Sequence, residues 1–428
     1  MTERGRRMFM TVWKKATVLL SDDMKLWIKK LFSIRQNRKM LYKEKKVIPY
    51  QKGKYPFGIN LIGDISAETG LGQSMRILAT ALEKGNIPFI IKQKDSHGEL
   101  EHDVVSWEAK ISDDIKYAVN LIHIIPGTWA KDYCKLEREV LDGRYNIAYW
   151  LWELETFPEH WIPCIDTVDE IWTPSEFISN CIRKVTNKPV MTVPYAIEMD
   201  LEMEMSGMSD REEYFDREYF GLPENKFLFL TMYDFISVSE RKNPEAVIKS
   251  YCQAFPQEDE MVGLIIKVNH AEEKKLEVIK NMLKNYRNVY YVTDNLTRTE
   301  VNSLIDISNV LVSLHRSEGF GLPIAEAMAM GKPVICTNWS ATTEFMDDNC
   351  ACPVGYQLIR LEKGIGPYEK GNYWADADIG NAATYMRRLV QDKGYYGKIS
   401  KNAKERIRQQ LTCGNMAAIM RNRLKEII

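Results

Sequence analysis

Two carboxylates in the C-terminal half, Glu318 and Glu326, have the type and the spacing to bind a polar ligand. Glu326 is the single charged residue in the otherwise apolar stretch 322–330. A carboxylate on a buried helix is unfavourable unless something hydrogen-bonds it, and the sequence offers no partner within one turn. The pattern therefore indicates a ligand as the partner of Glu326.

The elements around these glutamates are predicted to be a strand, a loop, a helix and a second strand. Residues 310–314 and 333–336 are short β-branched runs, which fit parallel strands that are covered on both faces. Pro323 suits the first turn of a helix and Gly331 the position after its last turn, so a helix is predicted at 322–330. The loop 318–321 would thus join the carboxyl end of a strand to a helix N-terminus.

Such a loop is suited to binding phosphate. Free backbone N–H groups and the positive end of the helix dipole attract anions there. Gly319 and Gly321 have no side chains, so a phosphate can approach the main chain closely, with Glu318 and Glu326 on either side. The structural alternative is that Glu326 complements the helix dipole and that Glu318 is solvated.

A pair of cations, Arg241 and Lys242, is predicted at a similar position earlier in this half. They follow a predicted strand at 227–233 and precede a helix at 244–255 that begins with Pro244. Positive charge beside a helix N-terminus suits a diphosphate, whereas the alternative is a charged solvent loop. Lys267, at the end of the next strand, is a weaker candidate of the same kind.

The stretch SEGFGLPIAEAMAMGKPVI, 317–335, resembles the E-x7-E signature of family 4 retaining glycosyltransferases, which have the GT-B fold. The resemblance extends over about 57–392 and implies two Rossmann-like α/β domains that face each other across a cleft. It also implies transfer of a hexosyl group from a nucleotide-diphosphate sugar, such as GDP-mannose or a UDP-sugar, with no metal and no other cofactor.

The resemblance implies roles for the residues at the motif. Glu326 would bind the ribose hydroxyls and Glu318 the hydroxyls of the donor sugar. The backbone N–H groups of Phe320, Gly321 and Leu322, together with Arg241 and Lys242, would bind the diphosphate. Asn295 and Leu296 resemble the loop that receives the base.

The resemblance leaves two positions open on the opposing wall of the cleft. Relatives often have a histidine in the N-terminal half that reaches the transferred sugar. His123 keeps the residue type, whereas Glu153 follows a strand at the expected place. The sequence does not choose between them.

A glycine loop, Gly70-Leu71-Gly72, follows the first predicted strand and opens a helix. Met75 replaces the third glycine of the dinucleotide fingerprint, which weakens a nicotinamide-enzyme interpretation. In the resembled family this loop faces the cleft near the diphosphate and the acceptor. The alternative is a tight strand-to-helix turn.

Alternating strand and helix patterns predict a domain organisation of a leader at 1–50, an acceptor domain at 51–215, a donor domain at 216–403 and a closing helix at 404–428 that returns to the first domain.

The 428 residues have a net charge of −1, so there is no overall bias toward nucleic acid. The leader holds a net charge of +10 and the remainder −11. A basic amphipathic leader suits an anionic membrane surface, a tail, or a helix packed on the body.

The eight cysteines lack zinc or redox spacing, which predicts a reduced, cytoplasmic setting. The membrane alternative for the leader would make the enzyme peripheral on the inner face of the plasma membrane. Its acceptor would be a glycan or a lipid-linked sugar in the synthesis of cell-surface polysaccharide. Two alternatives remain open. One is another GT-B chemistry, an epimerase or a phosphorylase, and the other is a non-catalytic sugar-nucleotide binder in an assembly.

Overall fold

The computed structural model describes residues 22–67, 69–94, 107–197, 215–235 and 238–428. Two parallel sheets, each with helices around it, form the architecture. This confirms the predicted α/β class with two Rossmann-like halves.

The N-terminal sheet has six parallel strands in the order β2-β1-β3-β4-β5-β6. Its strands are β1 (Ile59–Gly63), β2 (Phe89–Gln93), β3 (Val119–Ile122), β4 (Tyr145–Tyr149), β5 (Glu170–Thr173) and β6 (Val190–Thr192). The helices of this half are α1 (Asp22–Glu44), α2 (Gly70–Lys84), α3 (Pro126–Tyr133), α4 (Arg138–Leu141), α5 (Ile162–Ile165) and α6 (Glu176–Arg183). The central strands β1, β3 and β5 are buried at every position, as apolar runs in a sheet covered on both faces should be.

The C-terminal sheet also has six parallel strands, in the order β12-β11-β10-β7-β8-β9. They are β7 (Phe227–Asp234), β8 (Val262–Asn269), β9 (Val289–Val292), β10 (Val310–Ser313), β11 (Val334–Thr337) and β12 (Cys352–Val354). A separate antiparallel hairpin follows, formed by β13 (Tyr356–Arg360) and β14 (Tyr373–Ala377). The helices of this half are α7 (Ser239–Lys242), α8 (Pro244–Ala254), α9 (Glu273–Met282), α10 (Arg298–Ile307), α11 (Leu322–Ala329), α12 (Ile379–Gln391), α13 (Lys393–Gln410) and α14 (Cys413–Ile427).

The prediction of one closing helix from residue 404 is wrong at its start. The structure has two helices there, α13 and α14, with a break at Leu411 and Thr412. Thr412 is extended, and its side chain accepts a hydrogen bond from the N–H of Asn415, so it caps a new helix. The helix α13 packs against α11, and α14 packs against α2 of the N-terminal half.

Part of the basic leader packs on the body. In α1, Met40 is fully buried, Asn37 Nδ2 donates to the carbonyl of His160 at 2.9 Å, and Lys43 Nζ donates to the carbonyl of Tyr133 at 2.8 Å. For residues 22–44 this agrees with the alternative of a helix packed on the body. Residues 1–21 of the predicted leader lie outside the described residues. Several apolar side chains of α1 remain exposed, namely Met24, Leu31, Phe32, Ile34 and Tyr42. Within the described ranges, no helix is both long and apolar enough to span a membrane.

Candidate active site

The loop between β10 and α11 presents unpaired backbone donors. The N–H groups of Gly319, Phe320, Gly321 and Leu322 donate to no residue in the described part of the chain. Three of these residues are buried, and buried N–H groups are almost always paired. They lie at the N-terminus of α11, where the helix dipole favours an anion. The loop therefore places free donors where an anion would be favoured, as the sequence predicted.

The geometry of this loop requires glycine. Gly321 has a φ of +94°, and a Cβ placed on it would be 2.7 Å from Cγ2 of Thr342. A Cβ on Gly319 would be 2.5 Å from the carbonyl oxygen of Trp152, in the N-terminal half. Gly319 therefore allows the two halves to touch at the motif, and the predicted approach of a phosphate to its main chain stays a prediction.

The motif glutamate Glu318 is paired with the two predicted cations. Its Oε1 lies 3.0 Å from Arg241 Nη1 and 2.5 Å from Lys242 Nζ. Arg241 Nη1 also donates to the carbonyl of Ser317 at 2.7 Å. Burial alone would raise the pKa of Glu318, but the charges of Arg241 and Lys242 outweigh it and lower the pKa to about 2.

This pairing should make the protein sensitive to acid. The pKa of Glu318 in the folded state lies below its ordinary value of 4.5, so its stabilisation is complete above pH 4.5 and is lost as the pH falls toward 2. In urea unfolding between pH 5 and pH 3, the wild type should lose more free energy of unfolding than Glu318→Gln, by up to about 1.4 kcal/mol per pH unit. Equal losses in the two proteins would contradict this.

Of the two open positions on the opposing wall, Glu153 lies in this charged cluster. Its Oε1 is 4.0 Å from Arg241 Nη2, and its Oε2 accepts from the hydroxyl of Tyr368 at 3.4 Å. The Ser317 hydroxyl donates to the carbonyl of Glu153. The N-terminal half thus contributes a carboxylate beside Glu318.

His123 has different neighbours. Its Nε2 lies 2.6 Å from the hydroxyl of Ser74, which in turn donates to the hydroxyl of Tyr195 at 2.5 Å. Burial lowers the pKa of His123 to about 4, so its ring is neutral at pH 7. Among the described residues, it makes no hydrogen bond or ion pair with Glu318 or Arg241.

In the glycine loop, Gly72 makes the tight turn that was the alternative interpretation. A Cβ on Gly72 would lie 1.8 Å from the carbonyl oxygen of Ala67. The N–H of Gly72 donates to the side chain of Thr69, which caps α2. Gly70 has open space around it, and Leu71 is exposed.

The predicted base loop follows β9, and a buried lysine holds it. Lys267 Nζ donates to the carbonyl of Asp294 at 2.8 Å and to Asn269 Oδ1 at 2.5 Å. Burial lowers the pKa of Lys267 to about 8. Asn295 is exposed, whereas Leu296 packs on the core. Lys267 therefore fixes the start of this loop.

The structure supplies a protein partner for Glu326. Arg298 Nη2, at the start of α10, lies 2.6 Å from Glu326 Oε1. Arg298 comes from another helix, so Glu326 has a protein partner that its own segment does not show, and a ligand as a further partner stays a prediction. Sequence reasoning missed Arg298 and Tyr368. A cation in the first turn of a helix, where the dipole disfavours it, was the available signal for Arg298.

Two polar contacts join the halves beside the motif. Ser175 Oγ donates to the carbonyl of Gly319 at 2.7 Å. The carboxylate of Glu344 accepts from the N–H groups of Glu176 and Phe177, at the N-terminus of α6.

Over the described ranges, no cluster of three or more His, Cys, Asp or Glu side chains is arranged to hold a metal ion.

With this geometry in place, comparison with known proteins identifies the fold. A glycosyltransferase from Rickettsia africae has a TM-score of 0.62 at 12% identity, over 87% of this chain and 99% of that one. The Anabaena protein HepE in complex with UDP and glucose has a TM-score of 0.57 at 13% identity, over 87% and 100%. The chain has the GT-B fold.

Sequence comparison finds similarity to glycosyltransferases within this fold. Residues 213–357, about a third of the chain, match the family described as "Glycosyl transferases group 1". The serotype-specific mannosyltransferase WbdA of Escherichia coli is 24% identical over 195 residues, which cover 44% of this chain and 20% of that protein. The match thus spans about a fifth of that relative's length. These findings support the resemblance to family 4-like glycosyltransferases.

Proposed function

We propose that this protein is a retaining glycosyltransferase that moves a hexosyl group from a nucleotide-diphosphate sugar to a glycan or lipid-linked acceptor. The observation that supports this most directly is the row of N–H groups from Gly319 to Leu322, which have no partner among the described residues and lie next to Arg241 and Lys242. Together these donors form a site for a diphosphate at the carboxyl end of a parallel sheet, where α/β folds bind nucleotides.

The chemistry follows from charge. Breaking the bond between the sugar C1 and the diphosphate oxygen leaves negative charge on the diphosphate. Lys242 has three N–H donors and Arg241 has five, so both keep donors for phosphate while they contact Glu318. These cations and the N–H groups of the loop stabilise the charge more strongly in the transition state than in the substrate.

In the proposed reaction the acceptor hydroxyl oxygen attacks C1 on the face from which the diphosphate departs. The acceptor proton goes to the departing phosphate oxygen, so the configuration at C1 is retained and no further reagent is required. Glu318 would bind hydroxyls of the donor sugar, with Glu153 on the opposite side of the cleft. The direct contacts between the halves at Gly319 support a closed site that excludes water.

The finer assignments are also proposals. WbdA is named a mannosyltransferase and HepE was solved with UDP and glucose, which supports GDP-mannose or a UDP-sugar as the donor. The serotype in the name of WbdA supports a role in cell-surface polysaccharide synthesis. The exposed apolar side chains of α1, beside the exposed Arg35, Arg38 and Lys39, support a cytoplasmic enzyme at an anionic membrane surface.

Purified protein is expected to release nucleoside diphosphate slowly from one member of a panel that includes GDP-mannose, UDP-glucose and UDP-N-acetylglucosamine. Water replaces the missing acceptor in this reaction, and a sugar acceptor should accelerate it at least about tenfold. NMR of the product should show the anomeric configuration of the donor. Glu318→Gln is the negative control.

The outcomes separate the alternatives. Conversion of the donor to an isomeric nucleotide sugar would identify an epimerase, and dependence on inorganic phosphate a phosphorylase. Binding without turnover on any acceptor would identify a sugar-nucleotide binder. Each of these results would contradict the proposed transfer.

A further inference from the structure

The ion pair between Arg298 and Glu326 joins two helices at the donor side of the cleft. Arg298 Nη2 is 2.6 Å from Glu326 Oε1, and Glu326 is 3% exposed. Across the described ranges, no other residue hydrogen-bonds to this carboxylate, so its Oε2 is available to a ligand. Arg298 likewise has no partner other than Glu326 among the described residues. Its guanidinium has five N–H donors, so most of them are available to a ligand.

The position of Arg298 is locally unfavourable. It is the first residue of α10, directly after Thr297, which forms a capping box with Glu300. A cation in the first turn opposes the helix dipole by about 0.3–1 kcal/mol. Natural sequences break local rules of this kind mainly at functional sites. The arrangement is explained if Arg298 serves the carboxylate that it contacts.

Both residues lie next to predicted nucleotide contacts. Arg298 follows the loop at Asn295 and Leu296, which Lys267 fixes through the carbonyl of Asp294. Glu326 lies one turn after the free N–H groups at the start of α11. A ribose joined to a diphosphate at those N–H groups would lie between the phosphates and the base loop.

We propose that Arg298 is a positioning residue of the ribose subsite. It holds Oε1 of Glu326, so that Oε2 accepts hydrogen bonds from the ribose 2′ and 3′ hydroxyls of a nucleoside diphosphate. This inference rests on the proposed function, because it requires a nucleotide as ligand. It predicts that the contribution of Arg298 to binding depends on the ribose hydroxyls.

Calorimetric titration of the full chain with GDP and UDP, and with their 2′,3′-dideoxy forms, tests this. In the wild type, loss of both hydroxyls should weaken binding at least about tenfold, since a carboxylate then loses its hydrogen-bond donors. Arg298→Ala should weaken binding of the parent nucleotide about tenfold and of the dideoxy form less than twofold. Arg298→Lys should restore part of the loss.

Lys332→Ala is a matched control. Lys332 follows the C-terminal end of α11, and its Nζ lies 3.0 Å from Oδ1 of Asp306, near the C-terminal end of α10, so this pair is at the end of α10 opposite to Arg298. Its removal should change neither affinity by more than about twofold. Thermal unfolding of each variant separates lost folding from lost binding.

Three results would overturn the inference. Arg298→Ala could weaken both nucleotide forms by the same factor, which indicates a structural role. It could strengthen binding, which indicates that Arg298 only neutralises Glu326 in the empty site. The wild type could bind the parent and dideoxy forms equally. Failure of the folded wild type to bind GDP and UDP at all would instead contradict the proposed function.

Discussion

Glu318→Gln is expected to lower kcat/KM for glycosyl transfer by at least about 10³-fold while nucleoside diphosphate binding stays within about tenfold. Glutamine keeps the shape of the side chain but removes the charge. It therefore weakens both the hydrogen bonds to the sugar hydroxyls and the placement of Lys242, whose Nζ lies 2.5 Å from Glu318 Oε1. Both effects fall on the transition state, where the sugar–phosphate bond breaks.

Nucleotide binding should survive because the diphosphate can take the place of the lost carboxylate. In the variant, Arg241 and Lys242 have no anionic partner at Oε1, and Arg241 is 5% exposed. Arg241 then keeps only the more distant carboxylate of Glu153, at 4.0 Å. Because removal of one partner from a buried ion pair is destabilising by about 3–5 kcal/mol, an anionic ligand should raise the unfolding temperature more in Glu318→Gln than in the wild type.

Kinetics and titration of the two proteins under the same conditions provide the measurement. Asp376→Asn is a suitable control from the same half of the protein. The Asp376 side chain is half-exposed, and its Oδ1 lies 2.9 Å from Arg316 Nη2. It should retain activity within about twofold. Full activity in a folded Glu318→Gln variant would remove Glu318 from the reaction.

The strands and the helix around Glu318 and Glu326 could be predicted from the sequence. Short β-branched runs predicted β10 and β11, and Pro323 with Gly331 predicted α11 to within one residue. These features depend on local chemistry, namely backbone preferences and the periodicity of apolar residues. The same reasoning brought Arg241 and Lys242 to the carboxyl end of the sheet that holds Glu318.

The features that the sequence did not predict depend on contacts between segments that are distant in the chain. The pair of Arg298 and Glu326 joins two helices, and nothing in either segment specifies the other. Glu153 meets Tyr368 and Arg241 because of how the two halves face each other, which local patterns do not determine. The break before α14 had a local signal, the capping residue Thr412, which the prediction of one long helix overlooked.

The two C-terminal helices, α13 and α14, contribute to the stability of both halves of the protein. The helix α13 packs on α11, which contains Glu326, and its Ser400 Oγ donates to the carbonyl of Gly331 at 2.5 Å. The helix α14 packs on α2, which begins with the glycine loop. Together they connect the C-terminal half to the N-terminal half, and an ion pair between Arg423 and Glu170 attaches α14 to the N-terminal sheet.

Arg423→Met is expected to lower the free energy of unfolding of the N-terminal half by about 3–5 kcal/mol, since it leaves a buried carboxylate without its cation. Glu170 is fully buried in β5, and Arg423 Nε lies 3.0 Å from each of its oxygens, with Nη2 2.8 Å from Oε2. The hydroxyl of Tyr145 and Nε1 of Trp172 also donate to this carboxylate, but neither supplies a charge.

Urea unfolding followed by fluorescence, with hydrogen exchange of β5 and α14, measures this effect. Glu426→Gln is the matched control, because Glu426 pairs with the same Arg423 from an exposed position on α14, and its loss should change the free energy by less than about 1 kcal/mol. The double variant Glu170→Gln with Arg423→Met should be more stable than Arg423→Met alone, because it removes the stranded charge. A loss below about 1 kcal/mol in Arg423→Met would mean that water, rather than Arg423, solvates Glu170.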